Sequence, residues 1–189
     1  MITIVSGLPR SGTSLLMQML TAGGLTPVSD GERRPDIDNP KGYLEWERIK
    51  QLPKDPSLID KAEGKVVKVI SQLLFSLPHG HDYRVIFMQR PLPEVMASQD
   101  EMLRRRGTYD DAVDHTAVVN AFRDHLYKIH SWLSSQPHIA VLRLGYHDVL
   151  HQPKESSEKI KDFLGVELNL EAMTRQVDQS LYRQRKKAT

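Results

Sequence analysis

The chain has no cysteine among its 189 residues. That removes disulfides, thiol nucleophiles and thiolate-bound zinc, and it fits a reducing compartment. It has no apolar run approaching the ~18 residues of a membrane-spanning helix. It also lacks an excess of either charge: 26 basic and 24 acidic residues leave a formal net charge of +2, too little for the overall field to mark a nucleic-acid or polyanion binder. Repeats and low-complexity tracts are absent. Met1 leads directly into an apolar run, so no signal peptide is expected. These absences describe one cytoplasmic domain spanning residues 1–189, whose electrostatic recognition must be local.

What is present organises around the first sixteen residues. Ile2-Thr3-Ile4-Val5 reads as a strand, Gly7 to Gly12 as a tight loop, and Leu15, Leu16, Met17, Met19 and Leu20 as the start of a helix. In such a junction the loop's backbone N–H groups and the positive helix end converge on one point and form an anion site. Gly7 and Gly12 have the spacing of G-x-x-x-x-G-K-[ST], but Thr13 stands where a nucleoside-triphosphate loop places its lysine. The cation here is Arg10, within Pro9-Arg10-Ser11-Gly12-Thr13-Ser14.

That segment resembles the 5′-phosphosulfate loop of the sulfotransferase family, with arginine as in the tyrosylprotein branch. The resemblance implies a three-layer α/β P-loop fold with a central parallel sheet flanked by helices. It also implies 3′-phosphoadenosine 5′-phosphosulfate as cosubstrate, which has no γ-phosphate, and no metal. Pro9, Arg10, Ser11, Gly12, Thr13 and Ser14 would then hold the donor's 5′ end.

Further along, residues 26–43 are polar and rich in Pro, Gly and Asp, a long loop expected to be functional or mobile. Its end, Asn39-Pro40-Lys41-Gly42-Tyr43-Leu44-Glu45, resembles a segment that lies across the active site of many bacterial sulfotransferases. Residues 65–70 and 83–88 are β-branched runs that read as buried parallel strands. A helix opens at Pro91-Leu92-Pro93-Glu94 and runs to Arg104-Arg105-Arg106-Gly107. A second, from about 110 to 135, presents Val118, Phe122, Leu126, Ile129 and Leu133 as one stripe. A last strand over 138–144 precedes Tyr146-His147-Asp148-Val149 and a helix over about 156–164 capped by Gly165. This resembles the family's closing signature, with Val149 in place of leucine. Strands alternating with helices independently argue a parallel α/β sheet.

Arg90 and Ser98 stand eight positions apart, and by resemblance they hold the donor's 3′-phosphate, for which a guanidinium fork and a hydroxyl are suited. Sulfuryl transfer needs charge stabilisation on the departing group and a proton acceptor. Arg10 is the candidate for the first, and Lys68 is a second cation that by resemblance lies where the family often places a catalytic lysine. The histidine that cytosolic members place just after the lysine is missing from Lys68-Val69-Ile70-Ser71-Gln72, so Glu45 becomes the candidate base by resemblance, with Glu47 its rival. Arg104 to Arg106 could line an acceptor groove or form a solvated helix end. The histidines of His79-Gly80-His81-Asp82, with His125 and His130, lack zincin spacing, so no metal site is expected. The basic residues Arg183, Arg185, Lys186 and Lys187 receive no role. The expected function is transfer of a sulfuryl group to a hydroxyl or amine acceptor that the sequence does not identify, with no nucleic-acid or membrane partner. The alternatives are a P-loop kinase, or a catalytically silent nucleotide-binding module if Glu45 and Lys68 point away from the loop.

Overall fold

Alternation of apolar side chains places two cores on the two faces of one sheet. In β1 (Ile2–Gly7), Ile2 and Ile4 face one core and Val5 the other. In β2 (Val66–Lys68), Val67 faces the first and Val66 the second. In β3 (Tyr83–Gln89), Tyr83, Val85 and Phe87 oppose Ile86 and Met88. The computed structural model describes residues 1–36, 39 and 42–178, and among them the sheet has four strands, all parallel, in the order β2-β1-β3-β4, with β4 at Ile139–Gly145. The register aligns Val67, Ile4, Val85 and Val141 in one row on the first core.

The second face is covered by α1 (Thr13–Ala22) and by helices that follow β4. The first is covered by α3 (His115–Ser134), through Ile129 and Leu133, and by three short 3-10 helices at Glu47–Gln51, Pro56–Ala62 and Ser71–Ser76. This is the expected three-layer α/β arrangement. The 3-10 segments were not legible as periodic runs because each is too short to repeat.

Element boundaries moved where capping chemistry overrides apolar spacing. The helix expected from about residue 110 begins at His115, because the Asp114 carboxylate accepts from the Thr116 and Ala117 amides, an N-cap. Val118, Phe122 and Leu126 at its start are only partly buried, whereas Ile129 and Leu133 are fully so. Between β3 and α3, α2 (Leu92–Arg105) follows the strand as expected. Tyr146-His147-Asp148-Val149 proves to be α4 (Tyr146–His151), which buries Val149 and Leu150. Then α5 (Pro153–Leu164) starts three residues earlier than expected and ends at Gly165 with φ +66, and a short α6 (Leu170–Thr174) follows. No helix among the described residues is long and apolar enough to cross a membrane.

Candidate active site

The loop between β1 and α1 is built by two glycines with different reasons to be glycine. At Gly7 a Cβ would stand 2.6 Å from Ser11 Oγ and 2.8 Å from the Met88 carbonyl. At Gly12, with φ +101, it would stand 2.5 Å from the Tyr146 ring, so glycine there admits both a left-handed turn and the approach of α4. Ser11 closes the loop from within, its hydroxyl donating to the Leu8 carbonyl at 2.7 Å and its side chain buried. Its hydroxyl is therefore committed to the loop's own fold. Thr13 and Ser14 open α1, where the first amides have no intrahelical acceptor.

Arg10 occupies the left-handed region at φ +70, a position that costs a non-glycine residue about 1–3 kcal/mol and persists only when its surroundings impose it. The surroundings here are the two residues expected at the far end of the donor. Arg10 Nε donates to Ser98 Oγ at 3.0 Å, and Arg90 Nη1 donates to the Arg10 carbonyl at 3.0 Å. The loop, the end of β3 and the first turns of α2 are thus one hydrogen-bonded unit. Arg90 is held besides by Glu94, one helical turn along, with Nε to Oε2 at 3.0 Å and both side chains 7% exposed. Its guanidinium lies 4.5 Å from the Tyr146 ring centroid, and His147 Nε2 meets Glu94 from the other side at 3.0 Å. Glu94 was missed at the sequence level, and Tyr146, noted only within the closing signature, was given no site role. The i, i+4 spacing of Arg90 and Glu94 was the signal that could have found the first.

On β2, Lys68 shares the face of Val66 and so points to α1. Its Nζ lies 3.2 Å from Ser14 Oγ and 2.6 Å from Glu45 Oε1. The other Glu45 oxygen, Oε2, accepts from Arg33 Nη1 at 2.9 Å, and the Arg33 guanidinium stacks 3.5 Å above the centroid of the Tyr43 ring. Burial raises the Glu45 carboxyl, but the Lys68 charge and the hydrogen bonds from Lys68 and Arg33 outweigh it and hold the group below its ordinary value. Lys68 is lowered, first by burial, with Arg33 and Arg10 adding to it and Glu45 only partly opposing. Glu47, the rival, instead pairs with Lys50 and anchors its backbone amide on Asp30 at 2.7 Å.

Arg10, Arg33, Tyr43, Glu45, Lys68, Arg90, Ser98 and Tyr146 line one cleft of about 380 Å³, together with Gln18, Trp46, Ile70, Met102, Arg105 and Arg106. The expected site residues Pro9, Arg10, Gly12, Thr13, Ser14, Glu45, Lys68, Arg90 and Ser98 are brought together in it; Ser11 lies behind the loop, against a second groove lined by Leu8, Phe87 and His130. The arginine run divides. Arg105 pairs with Glu101 and Arg106 reaches Asp36 at 3.8 Å, both at the cleft, while Arg104 turns onto Tyr109.

The loop expected to be functional or mobile is tied near both its ends. Val28 N donates to Val66 O at 2.8 Å, and Asp30 N donates to Glu45 O at 3.3 Å. Gln18 of α1 donates to Gly42 O at 2.7 Å. The histidine-rich segment sits away from the cleft: His81 pairs with Asp60 and Glu63, and His79 packs on His138. His125 meets Ser71 Oγ, and His130 packs on Phe87. The late basic residues Arg183 to Lys187 lie outside the described residues.

The sulfotransferase domain matches residues 2–189 of this sequence. The chain belongs to the sulfotransferase family, a family of transferases. Among solved structures, mouse sulfotransferase SULT7A1 complexed with PAP superposes with a TM-score of 0.56 at 16% identity, covering 98% of this chain and 66% of that one. The sulfotransferase domain from the curacin biosynthetic pathway superposes with a TM-score of 0.54 at 16% identity, covering 94% of this chain and 77% of that one. This sulfotransferase-family chain thus spans just under two thirds of the length of the mouse structure, and both likenesses speak to the fold. No curated protein sequence matches it significantly.

Proposed function

We propose that this protein transfers a sulfuryl group from 3′-phosphoadenosine 5′-phosphosulfate to a hydroxyl or amine acceptor. The observation that carries the reading is the contact of Arg10 with Ser98, which joins a phosphate-type loop to the pair expected at a 3′-phosphate. A loop with no Walker lysine but a second phosphate grip suits a nucleotide bearing phosphates at both ends of the ribose. Gly12 sets the shape of the loop, since any Cβ there would collide with the Tyr146 ring. Gly12, Thr13 and Ser14 would present their amides to the 5′ end, and Arg90 and Ser98 would hold the 3′ end.

Lys68 and Glu45 point toward the loop, the disposition a catalytic module requires and a silent one does not. In this reading Glu45 accepts the proton of the acceptor hydroxyl or amine as that oxygen or nitrogen bonds to sulfur. The bond from sulfur to the 5′-phosphate oxygen breaks, its electron pair leaves with the phosphate, and Arg10 and Lys68 offset the charge that appears there.

The test is a nucleotide titration. Adenosine 3′,5′-bisphosphate should bind about 10²–10⁴-fold more tightly than adenosine 5′-phosphate, since two charge-assisted contacts contribute about 1.5–3 kcal/mol each. Arg90→Ala should erase most of that gap, and magnesium should be dispensable because the donor has no γ-phosphate to clamp. Equal binding of the two nucleotides, or magnesium-dependent preference for ATP, rejects the reading.

A further inference from the structure

Lys68, Glu45 and Arg33 form a row that runs outward through the cleft. Their side chains are 9%, 18% and 32% exposed in that order, so Lys68 stands by the loop, Glu45 in the middle and Arg33 at the mouth. Arg33 is presented there by a rigid mount. Its plane lies on Tyr43, whose hydroxyl donates to Asp36 Oδ1 at 2.7 Å, and Arg106 of α2 faces Asp36 from the other side. Arg33 meets Glu45 through Nη1 and also interacts with Tyr43, and a guanidinium has further donors in a fixed fork.

We propose that Arg33 is the acceptor-recognising residue and that the acceptor carries an oxyanion, a carboxylate or phosphate, close to the hydroxyl or amine it presents. The inference rests on the sulfotransferase reading above and adds the acceptor class. With Arg10 and Lys68 committed to the donor, Arg33 is the cation beside the candidate base that the donor does not need. A neutral acceptor would leave Glu45 clamped by it. An oxyanion competes for the same guanidinium, which favours bidentate pairing, and in doing so relieves Glu45 of one of its two cations. Because Arg33 Nη1 is 2.9 Å from Glu45, an anion on the rest of that fork lies within a few bonds of the atom Glu45 would deprotonate.

Calorimetric titration of the whole chain, saturated with adenosine 3′,5′-bisphosphate, tests this with matched probes: salicylate against salicylamide, and glycerol 2-phosphate against glycerol. The anionic member of each pair should bind at least about tenfold more tightly, the scale of one charge-assisted contact. Arg33→Gln should bring the pairs within about threefold and Arg33→Lys should restore part of the gap, because a lysine keeps the charge without the fork. Retained binding of the bisphosphate reports that each variant is folded. Equal binding within the pairs, no binding of either anionic probe, or a preference that survives Arg33→Gln overturns the proposal. Loss of bisphosphate binding with the anion preference intact instead rejects the donor reading and leaves Arg33 as an anion site.

Discussion

Glu45 is the candidate base and also the centre of a buried ion network, and these two roles pull in opposite directions. Held by Lys68 and Arg33, its carboxyl sits below its ordinary value, so it is deprotonated over the whole neutral range but weakly basic. Glu45→Gln should lower turnover about 10²-fold or more while leaving nucleotide affinity nearly intact; Glu47→Gln, whose partner is Lys50, should leave turnover within a few-fold. Sulfuryl transfer assayed with each variant checks both. A base works when deprotonated, so the acidic limb of the rate profile should lie below the usual glutamate range. Lys68→Met removes the cation that depresses it and should move that limb to higher pH, besides lowering the rate. Stability follows the same sign. A folded carboxyl with a depressed pKa contributes stability that is present above the unfolded value of about 4.3 and is lost as pH falls through the folded one. Melting temperatures of wild type and Glu45→Gln should therefore converge in acid. Arg10 alters an expectation that the sequence invites. If it served only the 5′ end, Arg10→Ala would weaken both nucleotides alike, but its bond to Ser98 predicts that the variant also narrows their discrimination.

At the scale of elements, the junction of β1 with α1 depends on α4, which lies far along the chain. Gly12→Ala combines a strained φ with a Cβ 2.5 Å from Tyr146 and should cost about 1–3 kcal/mol, read as a melting point lower by roughly 3–10 °C. The same variant should lose nucleotide affinity, because relief of the contact displaces the loop or the ring. The loop that opens at residue 26 is a strap whose described residues are fastened near its start, at Val28 and Asp30, and at its end, at Gly42. The Val28 and Asp30 amides, bonded to Val66 and Glu45, should be protected from hydrogen exchange without ligand, and residues 31–35 should gain protection when nucleotide and acceptor bind. Exchange that is equally fast across 26–36 would contradict the strap. The 3-10 helices and α4 share a feature: each has between five and seven residues, too short for a periodic signature, and each buries residues in one of the two cores.

Across the whole molecule, the sequence by itself determined the strands, the order of strands and helices, and the phosphate-type loop. These are local facts: a run of β-branched residues buries both its faces, two glycines permit a tight turn, and a helix start leaves amides without acceptors. It also marked Arg10 as the cation of that loop, whereas Lys68, Glu45, Arg90 and Ser98 were marked by resemblance to the sulfotransferase family. What only the tertiary structure decided was their partnership. Arg10 meets Ser98 88 positions away, and Lys68 meets Glu45 23 positions back along a loop with no regular spacing. Glu94 and Arg33 entered the site with no motif to announce them, and Tyr146 entered it from a segment to which the sequence had given no site role. Ser11 left it, since its hydroxyl closes the loop on Leu8. The physical reason is the parallel sheet. Its register brings the carboxyl ends of β1, β2 and β3 to one edge, so the charges gathered there are set by strand order and by which face each residue of an alternating strand presents.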